Sequence, residues 1–212
     1  MPKVFSLRAL LQDLEYTIHG TEVHGFLFRV APLKEGSLIL EPGCGCGKFG
    51  LSYALCGCEV VMIDIDPEVI AYARRIRGAL NSLVGSPLST LIKVGSIHRM
   101  KFSDNMFDLV FNEGVPQHWT DEQKRQGSID QMVRVSRDMV MVIGNNASNP
   151  FEVDKYKDVD FTYMGMPPRV EFFTPDELEM RLKKAGLKNV NVEPISPGRM
   201  EDSVLIGGYG RK

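Results

Sequence analysis

The chain has 212 residues, with 25 Lys and Arg against 27 Asp and Glu and a formal net charge of −2. That length suits one domain with a substantial core, and the near balance of charge leaves no electrostatic footprint for nucleic acid or an anionic membrane surface. No apolar run approaches the ~18 residues that span a bilayer, and Met1-Pro-Lys-Val-Phe-Ser leads into no signal-like apolar core, so a cytoplasmic protein is expected.

In chain order, a helical segment is expected over about Val4 to Val30, then strand 37–41 and helix 48–56. Strand 59–63, helix 67–81 and strands 90–95 and 107–111 follow, then helix 121–136 and strand 138–144. The stretch from Asn145 to Phe173 shows no clear period, and helix 175–185, strand 188–194 and a last strand near 203–209 complete the chain. Strands alternating with helices predict a mostly parallel sheet covered on both faces. The expected fold is therefore α/β: an open, doubly wound, seven-stranded sheet whose last two strands form an antiparallel edge hairpin. A single domain over 1–212 is expected, with 1–35 as a helical cap and 145–173 as a lid insertion.

The most informative stretch is Glu41-Pro-Gly43-Cys-Gly45-Cys-Gly47-Lys-Phe-Gly50, between the first predicted strand and its helix. Glycines there permit positive φ and close backbone approach to a ligand, beside the exposed N–H groups of a helix start. Gly45-x-Gly47-x-x-Gly50 matches the dinucleotide fingerprint. A carboxylate at Glu41 would repel a pyrophosphate, however, and would favour the sulfonium and ammonium of S-adenosylmethionine (SAM). Asp64, 19 positions after Gly45 and at the end of the second strand, stands where a carboxylate accepts both ribose hydroxyls. Ile65 is placed to cover the adenine, and Asp66-Pro67 reads as a helix start.

These segments resemble the class I, Rossmann-like SAM-dependent methyltransferases. Glu41 to Gly47 is similar to that family's acid-x-Gly-x-Gly-x-Gly signature, and Val60 to Arg74 to its second strand and helix. Phe107-Asp-Leu-Val-Phe-Asn112-Glu-Gly-Val resembles its fourth strand and substrate-side loop. Phe172 to Leu178 and Lys184 to Leu187 resemble the last helix of the branch acting mainly on small molecules. The resemblance implies a SAM cofactor held by Glu41, Gly43, Gly45, Gly47, Asp64, Ile65, Ser96, Ile97, Asn112 and Gly114. Ser96 stands where members often carry an acid toward the adenine amino group; its hydroxyl accepts a weaker hydrogen bond.

Methyl transfer requires alignment of the acceptor and exclusion of water, and a base only where the acceptor keeps a blocking proton. His118, on the loop after the fourth strand, is the candidate base, and Glu113 a candidate either to orient an amine or hydroxyl acceptor or to contact the cofactor. Tyr16, His24, Trp119 and Tyr163 are candidate acceptor contacts. Asn112-Glu-Gly-Val lacks the Asn/Asp-Pro-Pro-aromatic stretch that nucleic-acid amino-methyltransferases share, so a small-molecule acceptor is expected. Cys44-x-Cys46 and Cys56-x-Cys58 bracket a helix, about 15 Å apart at about 1.5 Å per residue, which is too far for one zinc ion. Cys44 and Cys46, beside a helix start, are candidate reactive thiols. Two other readings stay open: a non-catalytic SAM-binding module acting through a partner, and an NAD-linked oxidoreductase.

Overall fold

The computed structural model describes residues 7–156, 170–196 and 198–212. Seven strands, β1 (Leu38–Pro42), β2 (Glu59–Asp64), β3 (Thr90–Val94), β4 (Phe107–Glu113), β5 (Ser136–Asn145), β6 (Lys188–Pro194) and β7 (Leu205–Arg211), form one sheet. Their order is β3-β2-β1-β4-β5-β7-β6. The expected α/β architecture, with its antiparallel edge hairpin, is the one observed. Contacts group the chain into two compact units, residues 1–100 with 107–109 and residues 101–106 with 110–212.

In the first unit β2 pairs in parallel with β1 (Leu40 opposite Val61) and with β3 (Met62 opposite Ile92). Ile39, Leu40, Val60, Met62 and Ile63 are buried, the near-continuous apolar pattern of a strand covered on both faces. Helix α3 (Lys48–Leu55) follows β1, and α4 (Pro67–Val84) follows β2. Asp66 caps α4 by accepting from the Glu68 and Val69 N–H groups, Pro67 occupies the first turn, and Gly85 ends the helix at φ +73°. Its buried Ile70, Ala73, Ile76 and Leu80 recur every three or four residues.

The expected single N-terminal helix is two, α1 (Leu7–His19) and α2 (Glu22–Val30). Gly20, at φ +79°, breaks them. α1 packs on α3 and α4; Tyr72 donates to Asp13 Oδ2 at 2.7 Å and Ser52 to the Thr17 carbonyl at 2.8 Å.

In the second unit β7 runs antiparallel to both β5 (Val142 opposite Gly208) and β6 (Val192 opposite Gly208). Helix α5 (Glu122–Val135) buries Ile129, Met132 and Val133, and α7 (Pro175–Lys184) presses buried Leu178 and Leu182 toward Gly208. The stretch expected to be irregular contains α6 (Pro150–Tyr156). Asn149 caps it, accepting from the Phe151 and Glu152 N–H groups at 3.0 and 3.2 Å. The two ends of the stretch are stitched together: Ala147 N–H donates to the Phe173 carbonyl at 2.9 Å and Phe173 N–H to the Asn145 carbonyl at 3.1 Å.

Two glycines separate packing from propensity. A Cβ on Gly208 would lie 2.7–2.8 Å from Leu178 and Leu182, whereas one on Gly127, within α5, meets nothing within 4 Å. Gly208→Ala is expected to cost about 1–3 kcal/mol by overpacking. Gly127→Ala is expected to add about 0.5–1 kcal/mol through helix propensity. Denaturant unfolding of both variants checks the opposite signs.

Candidate functional site

Three strand ends of the first unit converge on Ile63 and Asp64. The N–H groups of Gly43 and Cys44 donate to the Ile63 carbonyl at 2.7 and 3.0 Å. Gly45 N–H donates to Asp64 Oδ2 and Asp66 N–H to Oδ1, each at 3.0 Å. The Asp64 carbonyl accepts the N–H of Gly95, the residue before Ser96, at 2.9 Å. The turn that permits this needs φ of +72° at Gly43, +53° at Gly45 and +80° at Gly47, values costly for residues with a Cβ. The space where a Cβ on Gly45 would stand is open. Ile65, directly after Asp64, is 70% exposed.

Several of the expected contact residues are engaged within the protein itself. Glu41 is 1% exposed, and its Oε2 accepts the Gly50 N–H at 3.0 Å. Gly47, the N-cap of α3, has no side chain to cap it, so Glu41 satisfies that helix start from inside and presents no surface to a ligand. A Cβ on Gly50 would stand 2.6 Å from Glu41 Oε2 and 2.7 Å from Met62 Sδ, so the last glycine of the fingerprint serves helix-on-strand packing. His24 is also buried. Its Nδ1 accepts from Thr21 N–H at 3.0 Å and lies 2.8 Å from Thr21 Oγ1, Nε2 lies 3.5 Å from the Lys48 carbonyl, and the ring packs 4.7 Å from Phe49. Asn112 is fully buried, with Oδ1 accepting the Val115 N–H at 3.3 Å to turn the loop after β4. Ile97 is buried in a 3₁₀ turn (Ile97–Arg99) for which Ser96 Oγ accepts the His98 N–H at 3.3 Å. Tyr16 is exposed on α1 and accepts from Gln12 Nε2 at 2.8 Å. Tyr163 lies outside the described residues.

The thiols beside the loop are also not the activated groups expected. Burial pushes Cys44 well above the ordinary thiol range, aided by the nearby carboxylates of Glu41 and Asp64. Burial likewise pushes Cys46 up to about 11.

In the second unit, Glu113 ends β4, and Gly114, His118 and Trp119 share the loop after it. Gly114, at φ +81°, donates to the Ile143 carbonyl at 2.9 Å. A 3₁₀ turn (Pro116–His118) then carries His118, whose pKa burial lowers from 6.5. An amide pair that sequence reading missed fixes this turn. Gln117 Nε2 donates to Asn145 Oδ1 at 2.7 Å, and Asn145 N–H returns a bond to Gln117 Oε1 at 2.8 Å. Gln117 and Asn145 stand 28 residues apart and nothing in the local sequence marks them as partners. Lys124 Nζ lies 5.8 Å over the Trp119 ring.

A family model for the methyltransferase domain matches residues 39–139, the span containing the glycine turn, Asp64 and β4. Over that span the chain is similar to a methyltransferase domain. The chain is similar to the malonyl-[acyl-carrier protein] O-methyltransferase of Pectobacterium atrosepticum, 26% identical over 111 residues, 52% of this chain. The match spans only 39% of that relative's length. Solved structures show the same fold. A SAM-dependent methyltransferase from Aquifex aeolicus superposes with a TM-score of 0.66 at 18% identity, covering 98% of this chain and 99% of that one. One from Methanosarcina mazei gives 0.64 at 22%, covering 85% and 94%. Magnesium protoporphyrin IX methyltransferase from Synechocystis, with S-adenosylhomocysteine bound, gives 0.66 at 12%, covering 99% and 90%.

The raised thiol pKa of Cys46 fixes its labelling behaviour: about one molecule in a thousand is thiolate at pH 8. Exposed Cys56 is therefore expected to be alkylated by iodoacetamide first, with Cys44 and Cys46 modified only slowly in the folded protein. Peptide mass analysis over a time course checks the order.

Proposed function

We propose that this chain moves the methyl group of SAM to an O, N, S or C nucleophile on a small molecule. One observation carries the cofactor half of the reading: the glycine turn is locked to Asp64, beside an exposed Ile65. Asp64 uses one lone pair of each oxygen on backbone N–H groups. A carboxylate offers about four such sites, so two remain for ribose hydroxyls. Ile65 offers an apolar face to the adenine, Ser96 Oγ keeps a lone pair for its amino group, and Gly43 and Gly45 admit close backbone approach. Glu41 acts indirectly here, by fixing the helix start behind the turn. Bound in this way, the cofactor supplies a methyl carbon already activated by its sulfonium.

In the second unit, His118 is our candidate to take a proton from the acceptor, because its lowered pKa keeps the imidazole neutral near pH 7. Glu113 and Trp119 are proposed to orient the acceptor, with Gly114 shaping the loop and Tyr16 a peripheral contact. The helices before residue 35 are read as a cap, and residues 145–173, of which 157–169 lie outside the described residues, as a lid. The curated relative's name specifies O-methylation of an acyl-carrier-protein substrate; our reading commits only to a small-molecule acceptor. Four unpaired cysteines fit a reducing, cytoplasmic setting. Among the described residues no helix is long and apolar enough to cross a membrane.

Calorimetric titration with SAM, S-adenosylhomocysteine and NADH tests the cofactor site. The two adenosyl ligands are expected to bind, and Asp64→Ala to weaken them by about 10- to 100-fold, as lost charge-assisted hydrogen bonds would. Binding of NADH alone would return the chain to oxidoreductase chemistry. Tight SAM binding without turnover on any acceptor would favour the non-catalytic module. For an acceptor that must lose a proton, kcat/KM should rise with pH along a limb whose midpoint lies below 6.5, because His118 acts only when deprotonated. His118→Asn is expected to abolish that limb.

A further inference from the structure

A second cavity-forming set of residues lies wholly within the second unit, beyond the carboxyl end of β5. The cavity encloses about 410 Å³, within the range of small-molecule sites. Its walls include Val153, Tyr156, Val170 and Phe172, and the Tyr156 and Phe172 rings meet edge to face with centroids 5.7 Å apart. Its polar lining comes from Glu171, Glu177 and Arg125.

The charges are layered. The Arg125 side chain is 2% exposed, and Nη1 donates to Glu171 Oε2 at 2.9 Å, whereas the Glu171 side chain is 54% exposed. Arg181, 5% exposed, donates through Nε to Glu177 Oε1 at 2.8 Å, and Glu177 is 24% exposed. In both pairs the cation lies beneath and the carboxylate faces outward. A ligand entering the cavity therefore meets carboxylate oxygens and aromatic edges before it meets guanidinium. Glu171 also donates its N–H to the Gln117 carbonyl at 2.8 Å, so the anionic wall is tied to the residue preceding His118.

We propose that this cavity takes the cationic head of an organic amine with an apolar or aromatic body, making amines the acceptor class of this methyltransferase. The inference rests on the methyltransferase reading above. Carboxylates favour an ammonium and repel an acid. Lys155 Nζ already lies 4.8 Å over the Tyr156 ring, so Tyr156 adds contact to the body, and Phe172 adds both ring contact and cation–π attraction to the head. An ammonium nitrogen becomes nucleophilic only after losing a proton, and the neutral imidazole of His118 is the group of this unit suited to accept it.

The test uses three probes of one shape, 2-phenylethylamine, 2-phenylethanol and 3-phenylpropanoate, titrated calorimetrically into the full chain saturated with S-adenosylhomocysteine. The amine is expected to bind about tenfold more tightly than the alcohol, and the acid more weakly than either. Glu171→Gln keeps an oxygen for Arg125 and is expected to erase the preference while leaving S-adenosylhomocysteine affinity unchanged, with a lowered thermal midpoint from the lost charge opposite Arg125. Phe172→Leu should weaken all three probes together. Equal or tighter binding of the alcohol or acid, binding of none of the three, or a preference that survives both Glu171→Gln and Glu177→Gln would overturn the proposal. Loss of S-adenosylhomocysteine binding by the unmodified chain would instead strike the methyltransferase reading, and the same charge order, measured without it, would still decide the cavity.

Discussion

The Ile63 and Asp64 carbonyls and the Asp64 carboxylate accept five backbone N–H groups, from Gly43, Cys44, Gly45, Asp66 and Gly95. Each bond contributes about 0.5–1.5 kcal/mol net, but a donor left unmet in a buried turn would cost about 1–3 kcal/mol. The glycine turn and the residues after β3 thus have few alternative conformations that keep their donors satisfied. This matters for binding more than for stability. A turn already fixed at φ values that only glycine adopts readily does not have to be ordered by its ligand, so less of the interaction energy is lost on association.

The helix behind the turn shows why the signature contains residues that need not touch a ligand. Gly47 must take φ +80°, and as N-cap of α3 it has no side chain with which to accept the N–H three residues on. Glu41, on β1, reaches across instead. That contact requires α3 to approach β1 and β2 so closely that only glycine fits at position 50. Acid and final glycine are therefore one packing device, and the middle glycines another. The literal match to a dinucleotide fingerprint follows from this geometry, since close helix-on-strand packing demands the last glycine whichever nucleotide the turn receives.

Features carried by local pattern were legible in the sequence. Buried parallel strands announce themselves as apolar runs, α4 by Asp66-Pro67 and its period, and the turn by alternating glycines. The N-cap and proline at Asn149-Pro150 were equally local, and α6 was overlooked only because the surrounding stretch lacks a long period. Other roles depend on partners that sequence does not mark. His24 looks like a candidate ligand until the Lys48 carbonyl, 24 residues away, and the Phe49 ring are seen to hold it. Cys44 and Cys46 stand beside a helix start that would lower a thiol pKa, yet burial and adjacent carboxylates outweigh it. Gln117 and Asn145 complete each other's amides only once β5 and the turn after β4 are folded.

Arg125 explains why the second unit can keep a carboxylate exposed in a fixed place. Its planar guanidinium lies 4.1 Å from the Phe173 ring centroid and reaches both the side chain and, at 2.7 Å, the backbone carbonyl of Glu171. A lysine ammonium is a point charge with no plane to stack and no fork to span those two oxygens. Burial of the guanidinium is unfavourable in itself and lowers its pKa, while Glu177 and Glu171 act against that shift. The cation is therefore retained because carboxylates face it, and those carboxylates are in turn held at the surface by a cation that solvent scarcely reaches. One consequence is directional: the field of the guanidinium is offset by its neighbours on the way out, and the outermost charge belongs to Glu171. A surface lysine in the same pair would share the exposed face with its partner and leave the wall electrically mixed.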